Sequence, residues 1–212
     1  MKQPEVEPLF ATPLYINEIE DTDTRKYVDF VETLNWHRNN DDEGQITHDG
    51  GYLLHQYDIF NDLRVELEEH LRFYVERVCG FSTRRQEFYI TNSWAVKHQK
   101  NEHARNHIHN NSFFSGVLYI KCDNDSPPIR FYKNPLMQAP TSTVLVPDRE
   151  FDNMFNAETY GIPPSPGRII FFPSHVEHGI DKSESENTRL SIAFNTFVRG
   201  EFGEVINKVS IR

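Results

Sequence analysis

Arg189-Leu190-Ser191-Ile192-Ala193-Phe194-Asn195 alternates polar or small residues with large apolar ones. On an extended chain successive side chains point to opposite faces, so Arg189, Ser191, Ala193 and Asn195 share one face and Leu190, Ile192 and Phe194 the other. Two arrangements give this pattern. A solvated edge strand turns its polar face to water. A strand at the heart of a jelly roll turns its polar face inward onto a polar ligand and its apolar face outward, under covering helices. In the second arrangement Arg189 offers a planar fork to a carboxylate, and Ser191 adds a hydroxyl. The residues upstream decide between the two.

Strand-like segments precede this one at residues 88–96, 114–121, 129–132, 144–146 and 168–172, separated by Pro, Gly, Asn and Asp; the last runs over 189–198. Before residue 87 the pattern is helical. Tyr27, Phe30, Val31 and Leu34 recur at helical spacing behind a cap at Asp21 or Thr22. Leu63, Leu67, Leu71 and Val75 form one stripe of a second helix over 61–79, with Gly80 as its C′ residue. Residues 9–16 read as a short strand or extended segment interrupted by Pro13, and residues 39–51 as a mobile loop without periodicity. Helices first and short strands afterwards predict a mainly β fold, a sandwich or jelly roll with N-terminal helices packed on one sheet. With no internal repeat and no Gly/Ser-rich linker, a single domain over 1–212 is expected. Its helical support region covers about 1–86 and its strand core about 87–200.

Half of the ten histidines fall in two short windows, His103 to His109 and His175 to His178. On an extended chain His107 and His109 point the same way and can meet one metal ion, with Ile108 packed behind. A third ligand from a distant strand, His178 or His175, completes one face of an octahedron. Such a face leaves positions open for substrate and dioxygen, as non-haem iron oxygenases require. A lone H-x-H is more often a pair of loop histidines. The second window shifts the balance, because His178 follows the strand 168–172 and a turn at Pro173-Ser174, where a barrel mouth would lie. With His178 just upstream, the inward reading of the last strand prevails. His103 and His175 are left outside the metal set.

Composition narrows the partners. The formal charge of −10 argues against nucleic acid and against an anionic membrane, while a local basic pocket for one small anion remains compatible. Cys79 and Cys122 lack metal or redox spacing and read as reduced buried thiols of a cytosolic protein. The N-terminus has no signal-peptide pattern, and no apolar run is long enough to span a bilayer. The expectation is a soluble cytoplasmic protein.

Taken in order, these residues resemble the 2-oxoglutarate and Fe(II)-dependent dioxygenases with a double-stranded β-helix core, and most of all a subgroup from marine bacteria, cyanobacteria and their phages. The resemblance covers most of the chain. It runs from Leu9-Phe10-Ala11-Thr12-Pro13-Leu14-Tyr15 through Trp94 to His107-Ile108-His109-Asn110-Asn111-Ser112 and Ser115-Gly116-Val117-Leu118-Tyr119. Ile129-Arg130-Phe131, Asn134-Pro135, Phe171-Phe172-Pro173-Ser174 before His178, and Arg189 to Asn195 complete it.

The resemblance implies that His107 and His178 hold Fe(II), and that Arg189, assisted by Ser191, pairs with the distal carboxylate of 2-oxoglutarate. Tyr119 and Asn195 lie where such enzymes place further cosubstrate contacts. The implied reaction consumes dioxygen, converts the cosubstrate to succinate and usually hydroxylates the substrate, in the cytoplasm of a bacterium or a phage-infected cell. The chain departs from the pattern at His109, where most members carry Asp or Glu. Three neutral imidazoles leave the full dipositive charge of the ion, which the 2-oxoglutarate dianion would neutralise. Direct ligation by His109 is the reading adopted. In place of His109 or His107, a carboxylate such as Glu102 or Glu177 would supply the third ligand, or the site would be a zinc-binding relic.

A cupin-like or zinc-binding jelly roll that does not use 2-oxoglutarate is the competing reading, and a jelly roll without chemistry a third. The primary substrate is not readable. A protein side chain and a small metabolite are both compatible, and the segments 39–51 and 148–166 are placed beside the site. A helix stripe could serve a homodimer.

Overall fold

The computed structural model describes residues 3–20, 23–38, 40–133 and 147–212. Among them the chain forms β1 (Tyr15–Glu18), α1 (Arg25–Val31), β2 (Trp36–Arg38), β3 (Gln45–Thr47), α2 (Leu53–Gln56) and α3 (Asn61–Phe73), which a π turn over Tyr74–Val78 extends. There follow β4 (Gln86–His98), β5 (Ala104–His107), β6 (Phe114–Lys121), β7 (Ile129–Tyr132), β8 (Thr159–Ile162), β9 (Arg168–Pro173), β10 (His178–Ile180), β11 (Arg189–Phe202) and β12 (Val209–Ile211).

The strands make two antiparallel sheets. The larger runs β1-β9-β6-β11-β4-β3-β2, with β12 paired to the far end of β11; the smaller runs β5-β10-β7-β8. From β4 to β11 the chain repeatedly crosses from one sheet to the other, which is the winding of a double-stranded β-helix. The fold is mainly β, a jelly roll with helices on one sheet.

Packing follows the alternation of the strands. Leu190, Ile192 and Phe194 of β11 join Leu118, Ile120, Ile169 and Phe171 in the core beneath the helices. Leu63, Leu67, Leu71 and Val75 meet them from α3 and its π turn, all at most 1% exposed. Burying each such leucine contributes about 1.5–3 kcal/mol before conformational entropy is set against it. The stripe considered for self-association is therefore spent inside the chain and offers a second copy no apolar surface. Between the sheets lies a second core of Val117, Tyr119, Ile129, Phe131, Ile162, Ile170 and Phe172. With both faces covered, β6 is buried from Phe114 through Ile120.

Several local expectations change. Residues 40–51, the described part of the expected loop, are not free: Gln45 and Ile46 pair with Lys97 and Val96, so β3 belongs to the larger sheet. The strand near the N-terminus begins only at Tyr15, beyond Pro13, which has no N–H to give a ladder. The strand expected at 144–146, Asn134-Pro135 and the cap at Asp21 or Thr22 lie outside the described residues. Gly80 sits at φ +71°, the left-handed position that ends the second helix. Both cysteines are free thiols. No helix among the described residues is long and apolar enough to cross a membrane.

Candidate metal and anion site

Between the two sheets, a cavity of about 320 Å³ opens beside the ends of β5 and β10. β4 lines it with Trp94, Val96 and His98, and β11 with Arg189, Ser191 and Ala193. His107, His109 and His178 complete the polar part of the wall, and Glu43, Gly44 and Ile46 close one side. The segment 39–51 thus borders the cavity as expected, whereas residues 148–166 do not line it.

The three histidines come together: one ring nitrogen from each lies within 4.8 Å of the others. His107 ends β5 and His178 begins β10, directly opposite one another in the ladder. His109 follows β5 by two residues, and its N–H donates to the Ser174 carbonyl at 3.0 Å, which ties that loop to the end of β9. The ring Nδ1 of His107 lies 2.7 Å from the Arg105 carbonyl and that of His178 lies 2.9 Å from the Val176 carbonyl. A carbonyl only accepts, so both Nδ1 atoms carry the proton and both Nε2 atoms present a lone pair. His109 Nε2 lies 3.2 Å from His178 Nε2, and its ring stacks on Trp94. Burial, reinforced by His107, pushes His178 down to about 3 and His109 to about 4, and Asn195 beside His109 partly opposes the second shift. Near neutral pH both rings are uncharged, the form that ligates a metal. Converging lone pairs of this kind suit a divalent cation, and imidazole suits iron, nickel and zinc alike.

The carboxylates considered as a third ligand lie elsewhere. Glu102 pairs with Arg38 and accepts from the Gln99 N–H, and Glu177 is exposed. His103 bonds the Asp42 carbonyl, and His175 is exposed; neither joins the cluster.

Arg189 is the largest fully buried side chain, 1% exposed. Its Nε has no partner, its Nη1 lies 3.2 Å from His98 Nδ1, and the Tyr119 ring lies 4.9 Å from its guanidinium carbon. Among the described residues no carboxylate pairs with it. A buried cation without a counter-charge costs several kcal/mol, roughly, and a carboxylate ligand would remove that cost. The Tyr119 hydroxyl beneath it is likewise buried without a hydrogen bond. Ser191 is buried beside Arg189 on the cavity wall. Asn195 is turned to other work: its Oδ1 accepts from Ser115 Oγ at 2.9 Å, and Ser115 bonds Ser174 in turn. These orphaned polar atoms fit a dicarboxylate bound next to the three imidazoles.

Sequence reasoning passed over His98, the serines behind His109 and the Glu43–Arg105 ion pair at the rim. His98 shares a strand face with Trp94 and Val96 at a period of two, which was the available signal.

Residues 92–195 match the model of a family described as "putative 2OG-Fe(II) oxygenase". No curated protein matches the chain. An oxidoreductase of the 2OG-Fe(II) oxygenase family from Burkholderia pseudomallei superposes with a TM-score of 0.60 at 12% identity, covering 86% of this chain and 83% of that one. HygX from Streptomyces hygroscopicus, crystallised with nickel, 2-oxoglutarate and hygromycin B, gives 0.60 at 10% identity over 87% and 82%. A Pseudomonas putida prolyl-4-hydroxylase gives 0.55 at 13% identity over 87% and 92%. At such identities the likeness speaks for the fold. The family match covers just under half of the chain, and the segment it covers, which holds all three histidines and Arg189, is similar to the 2-oxoglutarate/Fe(II)-dependent oxygenases, a family that uses Fe(II) with 2-oxoglutarate as cosubstrate.

Proposed function

We propose that this protein hydroxylates a protein side chain or a small metabolite, with His107, His109 and His178 holding Fe(II) and Arg189 gripping the distal carboxylate of 2-oxoglutarate. One observation carries the reading: three ring nitrogens within 4.8 Å of one another share a cavity with a buried arginine that has no counter-charge. Fe(II) bound there would couple cleavage of dioxygen to decarboxylation of 2-oxoglutarate, giving succinate, carbon dioxide and a substrate in which C–H has become C–OH.

The chain's own residues do the rest. Backbone carbonyls of Arg105 and Val176 fix the tautomers of His107 and His178. Trp94 stacks on His109 and limits its rotation. Arg189 and Ser191 set the cosubstrate's orientation from β11, and Tyr119 offers its free hydroxyl from β6. Val96, Val117, Ile129 and Phe172 give the cavity dry walls, which strengthen each polar contact inside. His107 is the exposed member of the triad and marks the side from which substrate arrives. The solved relatives with a prolyl substrate class or a bound hygromycin B in their names support both a peptide and a small-molecule substrate.

The test is anaerobic titration of Fe(II)-loaded protein with 2-oxoglutarate, followed by succinate assay on admitting oxygen. Saturable binding at one site and Fe(II)-dependent succinate are expected. Absence of both would overturn the proposal. The all-imidazole ligand set favours one second reading, a zinc module without 2-oxoglutarate chemistry; stoichiometric zinc that Fe(II) cannot displace would establish it.

A further inference from the structure

We propose that His98 is a positioning residue for Arg189, a neutral acceptor that fixes the guanidinium fork while leaving its positive charge free for a ligand carboxylate. The inference rests on the reading of Arg189 as the anion anchor and adds a residue to it.

Register supplies the first argument. Arg189 and His98 are direct partners across the β11–β4 ladder, at the end of each strand that faces the cavity. Their side chains meet at 3.2 Å, Nη1 to Nδ1. A guanidinium has no acceptor, so it donates and Nδ1 accepts, which places the imidazole proton on Nε2. Both residues are 1% exposed, so the bond is shielded from bulk solvent.

A second argument is the lock on the ring. A Cβ added at Gly44 would lie 2.6 Å from both Cδ2 and Nε2 of His98 and 2.8 Å from the Lys97 carbonyl. The glycine lets the backbone beside β3 press against the imidazole from the side away from Arg189. With the ring held in this way, its lone pair keeps its direction. Burial, and after it the Arg189 guanidinium, holds His98 down to about 3, so the acceptor stays uncharged.

Charge supplies the third. Three arginines nearer the surface are matched by carboxylates: Arg38 by Glu102, Arg130 by Asp181 and Arg199 by Glu87. Arg189, more deeply buried than any of these, receives an imidazole instead. An acid at position 98 would orient the fork equally well but would cancel the charge on which a carboxylate ligand depends. A neutral acceptor separates orientation from neutralisation.

Calorimetry of 2-oxoglutarate binding to the Ni(II)-loaded protein tests this with four variants, Ni(II) affinity being measured alongside. His98→Asn keeps an acceptor near the place of Nδ1 and should bind 2-oxoglutarate within about threefold of the parent. His98→Leu removes a hydrogen bond to a charged group, and affinity should fall by about tenfold or more. His98→Asp keeps the acceptor and adds a negative charge, and should bind far more weakly than His98→Asn. All three should hold Ni(II) as the parent does. Loss of 2-oxoglutarate binding in Arg189→Met together with parental binding in His98→Leu would overturn the role of His98 and leave the anchor standing. Parental binding in Arg189→Met would overturn the anchor itself. Should His98→Leu fail to fold, equal affinity of His98→Asn and His98→Asp overturns the proposal.

Discussion

His107 and His178 are register partners across β5 and β10, so the backbone ladder itself sets the separation of two of the three imidazoles. β10 is held on its other side by β7, where His178 pairs with Phe131. Two-sided pairing of so short a strand leaves His178 little freedom. His109 lies past the strand and depends on the bond to Ser174 and on Trp94 for its position. The triad therefore has two members placed by strand pairing and one, His109, placed by loop contacts that can adjust more readily.

Metal titration of alanine variants should reflect that division. His107→Ala and His178→Ala should each weaken Ni(II) or Fe(II) binding by more than about 100-fold, beyond the loss typical of a supporting residue. His109→Asp replaces one imidazole by a carboxylate on the adjustable member and should retain metal, because the carboxylate adds charge to a site that otherwise has none. Loss of metal in His109→Asp as complete as in His178→Ala would mean that the loop cannot adjust.

Tyr119 separates stability from binding. Its hydroxyl is buried without a partner, and an unsatisfied buried hydroxyl is a cost that removal relieves. Tyr119→Phe should thus leave the urea midpoint of the ligand-free protein unchanged or slightly raised. The same variant should bind 2-oxoglutarate more weakly, by roughly tenfold or more for one hydrogen bond to a carboxylate. Unaltered affinity would show that the cosubstrate does not reach this hydroxyl.

The sequence made some of this legible and concealed the rest for physical reasons. The alternation of β11 and the stripe of α3 could be read because each element is long and amphipathic. β5 and β10, with four and three residues, are too short to show a period, although they position the triad. Residues 45–47 look like loop because their strand character comes from pairing with β4, some fifty residues away, and local composition carries no sign of that partner. The histidines could be grouped by chemistry before the fold was known. The pairing of His98 with Arg189 could not, since it depends on register between strands ninety-one residues apart.

Acid should destabilise the metal-free protein. His98, His109 and His178 are all held well below the usual 6.5, to about 3, 4 and 3, with burial the first cause in each case. The unfolded chain protonates these rings near pH 6.5, whereas the native state resists until the lower values are reached. Between these limits the unfolded state binds more protons, so stability falls as pH falls; above about pH 6.5 the three add no pH dependence. Each contributes up to about 1.4 kcal/mol per pH unit across the window. Urea unfolding at pH 7.5 and 5.5 reads the difference, and His98→Asn should show a shallower fall. A midpoint independent of pH in this range would be incompatible with three imidazoles buried in neutral form.

Gly116 lies within β6, where the larger sheet is covered on both faces. An added Cβ would lie 2.3 Å from Phe194 Cε2 and 3.1 Å from the Ile170 carbonyl. Phe194 cannot swing aside, because it is fully buried and its ring meets Phe171 edge-on at 5.3 Å. β6 is paired on both sides, to β9 and β11, so its backbone cannot bow away without breaking ladder bonds. Gly116→Ala should cost about 1–3 kcal/mol by overpacking and lower the thermal midpoint by several degrees. The truncation Phe194→Leu should restore part of that loss when combined with it, although each change alone destabilises. Additive losses in the double variant would place the strain of Gly116→Ala at the Ile170 carbonyl and not at the ring.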